Sequence, residues 1–303
     1  MSNPDTPGAY RRGMPPSNQR RFVVTLSCPD RVGIVAAVHS LIAEHGGWVT
    51  EAAQHADQES GRFFLRTEIL AESLDVEGDR VQALFEPLVH EFDLSLRIGD
   101  TDRPRRMVIL VSKATHCLEE LLYRWRSGEL PCEIPLVISN HLDAAPLAEW
   151  YGIDFWHLDM PADPAAKLAA FEALSRRFVD VGGEVLVLAR FMQVLPASVC
   201  DQFAGQVINI HHSFLPSFAG ARPYHQAFAR GVKLIGATCH YATAELDAGP
   251  IIEQDVVRVD HADRAEDLVR IGRDVERSVL AKGVRWHLED RVLLNGTRTV
   301  VFP

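Results

Sequence analysis

The spacing of apolar and polar residues divides the chain into two regions with different secondary-structure patterns. The first region follows a βαββαβ order, and its clearest segments are a strand at 21–28, a helix at 29–47, a strand at 63–69, a helix at 81–89 and a strand at 92–98. Asp30 is expected to cap the first helix by accepting a free backbone N–H. Two helices on one face of an antiparallel sheet predict a small α+β domain of the ferredoxin-like kind, which we assign to residues 21–100.

The second region, residues 107–303, contains short apolar strands that alternate with helical stretches. The strands are the segments MVILVS, IPLVIS, DFWHL, EVLVLA and QVINI. Because these runs are apolar nearly throughout, both faces of each strand are expected to be buried, which is typical of a doubly wound, mostly parallel sheet of an α/β domain. We interpret residues 101–106 as a polar linker and residues 1–20, which are rich in Pro, Ser, Asn and Gly, as a disordered tail.

The composition argues against several classes of protein. The chain has 303 residues, a hydrophobic content of 47% and a formal net charge of −10, which describe an acidic, soluble globular protein with no expected affinity for nucleic acid or for an anionic membrane. No apolar run reaches the roughly 18–20 residues of a membrane-spanning helix. The five cysteines are an odd number and form no C-x-x-C motif, which favours a reducing cytoplasmic location.

The segment VINIHHSFLPSFAGARPYH, residues 207–225, concentrates polar side chains where an apolar strand ends. Asn209 and His211 lie two residues apart on this strand, so both are expected to point to the same face. In parallel α/β sheets the ligand binds beyond the carboxyl ends of the strands. The sequence therefore predicts an active site here.

The histidines of this part of the chain allow three interpretations. A metal site is disfavoured, because the adjacent residues His211 and His212 are expected to face opposite ways on a strand. His225 and His240 have no partner at ligand spacing either, and we predict no metal. His212 and His225, each taken alone, are interpreted as incidental loop histidines.

Acid–base chemistry explains Asn209 and His211 better. An imidazole both takes and gives protons at neutral pH, and an asparagine amide can stabilise a developing oxyanion. The missing carboxylate is offered by Asp247 in the segment ELDAGPI, although its spacing alone favours an ordinary turn aspartate.

These motifs together resemble the folate-dependent formyltransferase family. The segments NIHHSFLPSFAGARPYHQA and GATCHYATAELDAGPII match its N-x-H at a strand end, its S-L-L-P segment and its later D-x-G-x-I loop, and the resemblance covers most of residues 107–303. It implies that Asn209, His211 and Asp247 are catalytic. It also implies a folate pocket lined by Met192, Gln193, Val194, Leu195, Thr243 and Ala244. Many relatives have arginine where Gln193 stands. No cofactor is expected, because 10-formyltetrahydrofolate is itself the substrate.

The first region resembles an ACT domain in its βαββαβ order. The helix start at Asp30, Gly33 and Ile34 matches the usual amino-acid effector site of such domains. The resemblance implies regulation by an amino acid. Since ACT domains usually pair, it also implies a homodimer or a homotetramer.

The two regions together resemble the subfamily that hydrolyses 10-formyltetrahydrofolate to tetrahydrofolate and formate. Transferases of the family generally have proline where this chain has His212, and they lack a leading ACT domain. The first strand of the second region runs into VSKATHCLEELL without the glycine that a phosphate-binding turn needs. We therefore expect a hydrolase acting on a linear amide C–N bond, which supplies formate, balances the one-carbon pool and connects it with purine biosynthesis.

Two other functions stay open at this point. One is a formyltransferase that uses an amine acceptor such as glycinamide ribonucleotide. The other is an amino-acid-binding regulator whose catalytic domain has decayed, against which the intact Asn209, His211 and Asp247 speak. Within the hydrolase hypothesis, either His211 or Asp247 could accept the first proton.

Overall fold

The computed structural model describes residues 19–216 and 223–303. The predicted disordered tail therefore lies outside the described residues except for its last two positions. The chain divides into two compact units, one ending at Arg103 and the other beginning at Pro104, and each is described by itself.

The first unit is a four-stranded antiparallel sheet with its helices packed on a common core. The strands are β1 (Arg21–Pro29), β2 (Trp48–Asp57), β3 (Arg62–Leu70) and β4 (Ser95–Asp100), and the helices are α1 (Ile34–Glu44), α2 (Val81–Leu84) and α3 (Glu86–Phe92). The strands lie in the order β2-β3-β1-β4 and every neighbouring pair is antiparallel. Apolar residues of β1, such as Val24 and Leu26, pack with Val38 of α1 and Phe85 between α2 and α3.

Two local predictions for this unit are wrong. Asp30 does not cap α1, because the helix begins at Ile34 with Gly33 as its N-cap, and no side chain caps it. The closing strand begins at Ser95 instead of 92, because Phe92 is still the last residue of α3. Asp93 follows with φ 54°, a left-handed conformation that ends a helix and is incompatible with an extended strand.

The second unit is built around a seven-stranded sheet. Its strands are β5 (Arg105–Val111), β6 (Cys132–Ser139), β7 (Asp154–His157), β8 (Val185–Leu188), β9 (Val207–His211), β10 (Leu234–Tyr241) and β11 (Ile251–Arg258). Its helices are α4 (His116–Arg126), α5 (Ala145–Tyr151), α6 (Pro164–Asp180), α7 (Ala197–Gln202), α8 (Pro223–Arg230) and α9 (Ala265–Leu288), followed by the hairpin β12 (Val292–Asn295) and β13 (Arg298–Val301). The first strand of this unit starts two residues earlier than the sequence pattern predicted.

The sheet order is β11-β10-β9-β8-β5-β6-β7. Strands β5 to β9 pair in parallel, whereas β10 and β11 form an antiparallel extension at one edge. The predicted α/β fold with a large, mostly parallel sheet is thus confirmed.

Both faces of this sheet are covered, as the apolar strands required. On one face Ile109 of β5 shares a core with Leu118 of α4 and Val279 of α9. On the other face Leu110, the next residue of β5, shares a core with Leu174 of α6. Because successive side chains of a strand point to opposite faces, each apolar run contributes to both cores.

The chain order reverses at β5, which lies between β6 and β8. At such a switch point the connections leave in opposite directions and open a crevice beyond the carboxyl ends of the strands. The ends of β5, β8 and β9 meet at this edge, so the loops that follow them can supply one site. In the part of the chain described, none of the helices has both the length and the apolar character needed to cross a membrane.

Candidate active site

A pocket of about 560 Å³ lies at the switch point of the second unit. Its lining comes from the loop after β5 with the start of α4, the loop after β8, the ends of β9 and β10, the loop between β10 and β11, and the helices α7, α8 and α9. The volume is within the range that small-molecule sites usually have, roughly 300–1,000 Å³. The predicted active-site edge is therefore a real concavity of suitable size.

His211 and Asp247 form a close side-chain contact on the pocket wall. His211 Nδ1 lies 3.2 Å from Asp247 Oδ1, and their side chains are only 6% and 13% exposed. The hydrogen bond from His211 lowers the pKa of Asp247 below its ordinary value, so the carboxylate is ionised at neutral pH. With Nδ1 donating to Asp247, the second nitrogen Nε2 of His211 is left buried and without a hydrogen-bond partner among the described residues.

The loop that carries Asp247 has a backbone suited to its residues. Asp247 has φ 57°, a left-handed conformation that aspartate tolerates better than most residues. Two residues later, Gly249 packs so closely on β10 that a Cβ there would lie 1.8 Å from the carbonyl oxygen of Tyr241. The small residues of the D-x-G motif thus let the loop press against the sheet and aim the carboxylate at His211.

Asn209 faces a histidine that the sequence analysis did not select. Strands β9 and β10 pair with Asn209 opposite His240, and the Asn209 side-chain amide donates to His240 Nε2 at 3.1 Å. His240 Nδ1 donates to the carbonyl oxygen of Tyr241 at 2.9 Å, which determines the tautomer. Burial lowers the pKa of His240, so it stays neutral and accepts from Asn209. His240 therefore orients the amide of Asn209 in the pocket.

His212 also lines the pocket, which corrects one prediction. Its ring stacks on His211 with 5.2 Å between centroids and an interplanar angle of 28°, instead of facing the opposite way. The strand ends at His211, so the alternation of side chains no longer holds for the next residue. Burial, and secondly the nearby Arg190, lower the pKa of His212 to about 4. His225, on α8, lines the same pocket but is exposed.

The structure brings the six residues of the predicted folate pocket to the same cavity. They are Met192, Gln193, Val194, Leu195, Thr243 and Ala244. Residues 192–195 lie outside helices and strands, so their backbone groups are not engaged in a regular ladder. The amide of Met192 donates to Ser112 Oγ at 3.0 Å, and Thr243 Oγ1 donates to the carbonyl of Glu245 at 2.9 Å. The first contact joins residues 192–195 to the residue that follows β5, and the second lies within the loop that carries Asp247.

A buried polar cluster at one end of the pocket was missed by the sequence analysis. Its centre is Glu276 of α9, which accepts a hydrogen bond from His116 Nε2 at 2.8 Å and one from the Tyr224 hydroxyl at 2.7 Å. Arg190 Nε lies 3.3 Å from the same carboxylate. His116, Arg190 and Tyr224 are separated along the chain, and no local pattern links them to Glu276. We call these four residues the Glu276 cluster.

The Glu276 cluster overlaps one group of potential metal ligands. Donor atoms of His116, Cys117 and Glu276 lie within 4.8 Å of one another. However, Arg190 places a cation next to the carboxylate, and burial raises the pKa of the Cys117 thiol well above its ordinary value. A divalent metal would have to displace the guanidinium and remove the thiol proton. These side chains therefore fit a hydrogen-bonded cluster better than a metal centre.

The three predicted effector residues lie together at the junction of β1 and α1 in the first unit. Asp30 is exposed, and its amide donates to the carbonyl of Gly61 at 2.8 Å. Gly33 has φ 102° and open space where a Cβ would stand, while Ile34 is buried in the core. The first N–H groups of a helix have no intrahelical partner, and no side chain caps those of α1.

Fold and site together define a protein of the formyl transferase class. Residues 105–284 match the family model described as formyl transferase. A glycinamide ribonucleotide transformylase 1 from Symbiobacterium toebii is similar in structure with a TM-score of 0.62 and 32% identity, over 66% of this chain and 95% of that chain.

More similar relatives match nearly the whole chain. A formyltetrahydrofolate deformylase from Corynebacterium sp. (strain P-1) is 46% identical over 94% of this chain and 99% of its own length. The crystal structure of a formyltetrahydrofolate deformylase from Pseudomonas syringae pv. tomato has a TM-score of 0.92 and 53% identity, covering 97% of this chain and 96% of that one. The chain belongs to the formyltetrahydrofolate deformylase family.

Proposed function

We propose that this protein hydrolyses 10-formyltetrahydrofolate to tetrahydrofolate and formate. The observation that carries the proposal is the His211–Asp247 pair beside Asn209, with His211 Nε2 buried but unengaged among the described residues, in a pocket of ligand size. An acid–base group, an orienting carboxylate and an amide donor are what hydrolysis of a formamide needs. The names of the relatives that match the whole chain support the same substrate. The product formate would return one-carbon units to purine biosynthesis.

The proposed reaction uses the three residues in sequence. His211 Nε2 accepts a proton as the water oxygen bonds to the formyl carbon, while Asp247 stabilises the imidazolium that forms. The side-chain amide of Asn209 donates to the oxyanion of the tetrahedral intermediate. The C–N bond to the folate then breaks, and His211 returns its proton to the leaving nitrogen. The first proton is assigned to His211 and not to Asp247, because the lowered pKa makes Asp247 a weak base.

The test is to incubate the protein with 10-formyltetrahydrofolate alone and to assay formate. Formate should appear with no amine present, and added glycinamide ribonucleotide should yield no formylated product. Formate release that stays negligible until an amine is supplied would make the protein a transferase instead. No cofactor is required in this scheme, so dialysed protein should remain active.

We further propose that the first unit is an ACT-like regulatory domain, spanning residues 21–100. The strand order β2-β3-β1-β4 in a βαββαβ chain is that of a ferredoxin-like sheet, which supports this assignment. An amino acid would bind at Asp30, Gly33 and Ile34, its carboxylate held by free N–H groups of the first helical turn. Calorimetry with the twenty amino acids should find a binder that alters turnover, and Gly33→Val should abolish the response while sparing basal turnover. Finding no binder would contradict it.

Assembly and location complete the proposal. We expect a homodimer or a homotetramer formed through ACT-like units, and sedimentation should give more than the 33.8 kDa of one chain at micromolar concentration. A monomer would refute this part. All five cysteines are buried free thiols, which supports a reducing cytoplasmic location.

A further inference from the structure

His212 occupies a position in the pocket that the proposed roles of Asn209, His211 and Asp247 leave without a task. Its ring stacks on that of His211 with 5.2 Å between centroids and an interplanar angle of 28°, and its centroid lies 6.2 Å from that of Tyr224. The ring makes no hydrogen bond to any described residue, although it lines the cavity. An imidazole whose ring nitrogens have no partner among the described residues can bind a water molecule, since one nitrogen donates and the other accepts.

The surroundings of His212 keep this ring uncharged. The charged or titratable groups that face it are Arg190 after β8, Glu276 on α9, His211 on β9 and Asp247 in the loop before β11. Burial has the largest effect on the pKa of His212, and the Arg190 guanidinium adds to it. At neutral pH the ring therefore has an unprotonated nitrogen that can accept a hydrogen bond from water.

Arg190 is held in place at a conformational cost. It has φ 66°, an unfavourable left-handed conformation for arginine, just beyond the end of β8. Its Nε lies against Glu276, which His116 and Tyr224 also bind. Glu276 is only 1% exposed, and the Arg190 guanidinium balances its charge. Its carboxylate is therefore not available to bind the ammonium group of an amine substrate. The cluster thus closes the end of the pocket next to His212 with engaged polar groups.

We propose that His212 binds the water molecule that attacks the formyl carbon, in the corner of the pocket that the Glu276 cluster closes. The inference rests on the proposed hydrolytic function and assigns the residue that makes water the acceptor. One O–H of the water donates to the His212 ring and the other points to His211 Nε2, which takes that proton as the oxygen bonds to the formyl carbon. The C–N bond then breaks and the proton passes from His211 to the folate nitrogen, so that His212 itself ends the cycle unchanged.

The test compares hydrolysis with transfer to hydroxylamine, a small amine that does not need a bound water. For His212→Ala we expect formate release to fall at least 100-fold, with the Kd for the folate within about threefold of wild type. Formylation of hydroxylamine should fall less than tenfold, so the ratio of formylated hydroxylamine to formate rises at least tenfold. His212→Gln retains a group that binds water and should recover at least tenfold of the lost hydrolysis. If His212→Ala does not fold, His212→Gln is the variant in which the two rates are compared. The surface variant His261→Ala should leave both rates unchanged.

A pH profile provides a second readout. Arg190→Gly suits the left-handed backbone and removes the guanidinium, which raises the pKa of His212. The acid limb of kcat for formate release should therefore move to higher pH in Arg190→Gly. It should not move in the double variant Arg190→Gly/His212→Gln, which has no imidazole at this position.

Five outcomes would overturn the assignment. The first is formate release by His212→Ala within tenfold of wild type. The second is formate release by His212→Gln that is no faster than that of His212→Ala. Either result would show that His212 holds no essential water. A parallel loss of hydrolysis and hydroxylamine transfer would show a merely structural role. Loss of formate release on chelation, with recovery on adding Zn²⁺, would assign the activation of the water to a bound metal instead of to His212. Wild-type protein that needs an amine to release formate would refute both the hydrolytic function and the role of His212.

Discussion

Replacing Asp247 by asparagine isolates the charge of the carboxylate from the shape of the loop. Asparagine has nearly the same volume and tolerates the φ of 57° that this position requires, so the backbone should not change. What disappears is the negative charge 3.2 Å from His211 Nδ1. The imidazolium that forms when His211 takes the proton of water then has no counter-charge. The substitution therefore raises the free energy of the transition state and of the intermediate, but not that of the ground state.

The expected loss follows from this distance. Two unit charges at 3.2 Å interact by about 5 kcal/mol at an effective dielectric constant of about 20, which is an upper limit because the charges are spread over several atoms. A hydrogen bond to a charged group contributes about 1.5–3 kcal/mol, which sets the lower limit. At about 1.4 kcal/mol per factor of ten, we expect kcat to fall between roughly 10- and 10⁴-fold.

The assay is single-turnover release of formate from 10-formyltetrahydrofolate, with folate binding measured separately. Binding should stay within about threefold of wild type, because asparagine keeps the shape of Asp247 and its hydrogen-bond acceptor toward His211. Asp93→Asn is the matched control, since Asp93 has φ 54° and lies outside the pocket. It should leave kcat unchanged. Near-normal turnover by well-folded Asp247→Asn would refute the role given to the His211–Asp247 pair.

Three further outcomes test other parts of the site. His240→Phe should lower kcat about 10- to 100-fold with unchanged folate binding, because the amide of Asn209 loses the acceptor that orients it, and a normal kcat would contradict this role. Gly249→Ala should lower the free energy of unfolding in urea by at least about 2 kcal/mol, because its Cβ would meet the Tyr241 carbonyl at 1.8 Å, whereas Gly231→Ala has open space and should cost about 1 kcal/mol. The pKa of Asp247 is lowered in the folded state, so its ionised carboxylate stabilises wild type relative to Asp247→Asn. This difference in the free energy of unfolding should be present above about pH 4 and should decline as the pH falls further. A difference that grows in acid would contradict this argument.

Much of the architecture could be predicted because burial determines the pattern of apolar residues within each short segment of the chain. Apolar runs such as MVILVS mark strands covered on both faces, and the parallel sheet follows from their alternation with helices. The pair Asn209 and His211 at a strand end, and the small residues after Asp247, located the candidate site before any contact was known. These signals are local in sequence, since a strand's periodicity and a turn's glycine depend only on neighbouring residues.

Contacts that join distant parts of the chain were decided by the tertiary structure. The partner of Asn209 depends on the register between β9 and β10, and periodicity reports only which face a side chain occupies, not what stands opposite. The orientation of His212 depends on where β9 stops, one residue earlier. The hydrogen bond between His116 and Glu276 joins residues 160 positions apart, through the packing of α4 and α9 on one face of the sheet. Sequence therefore determined which residues can do chemistry and roughly where, whereas their protonation states and pairings arose only when burial and long-range packing set the distances between them.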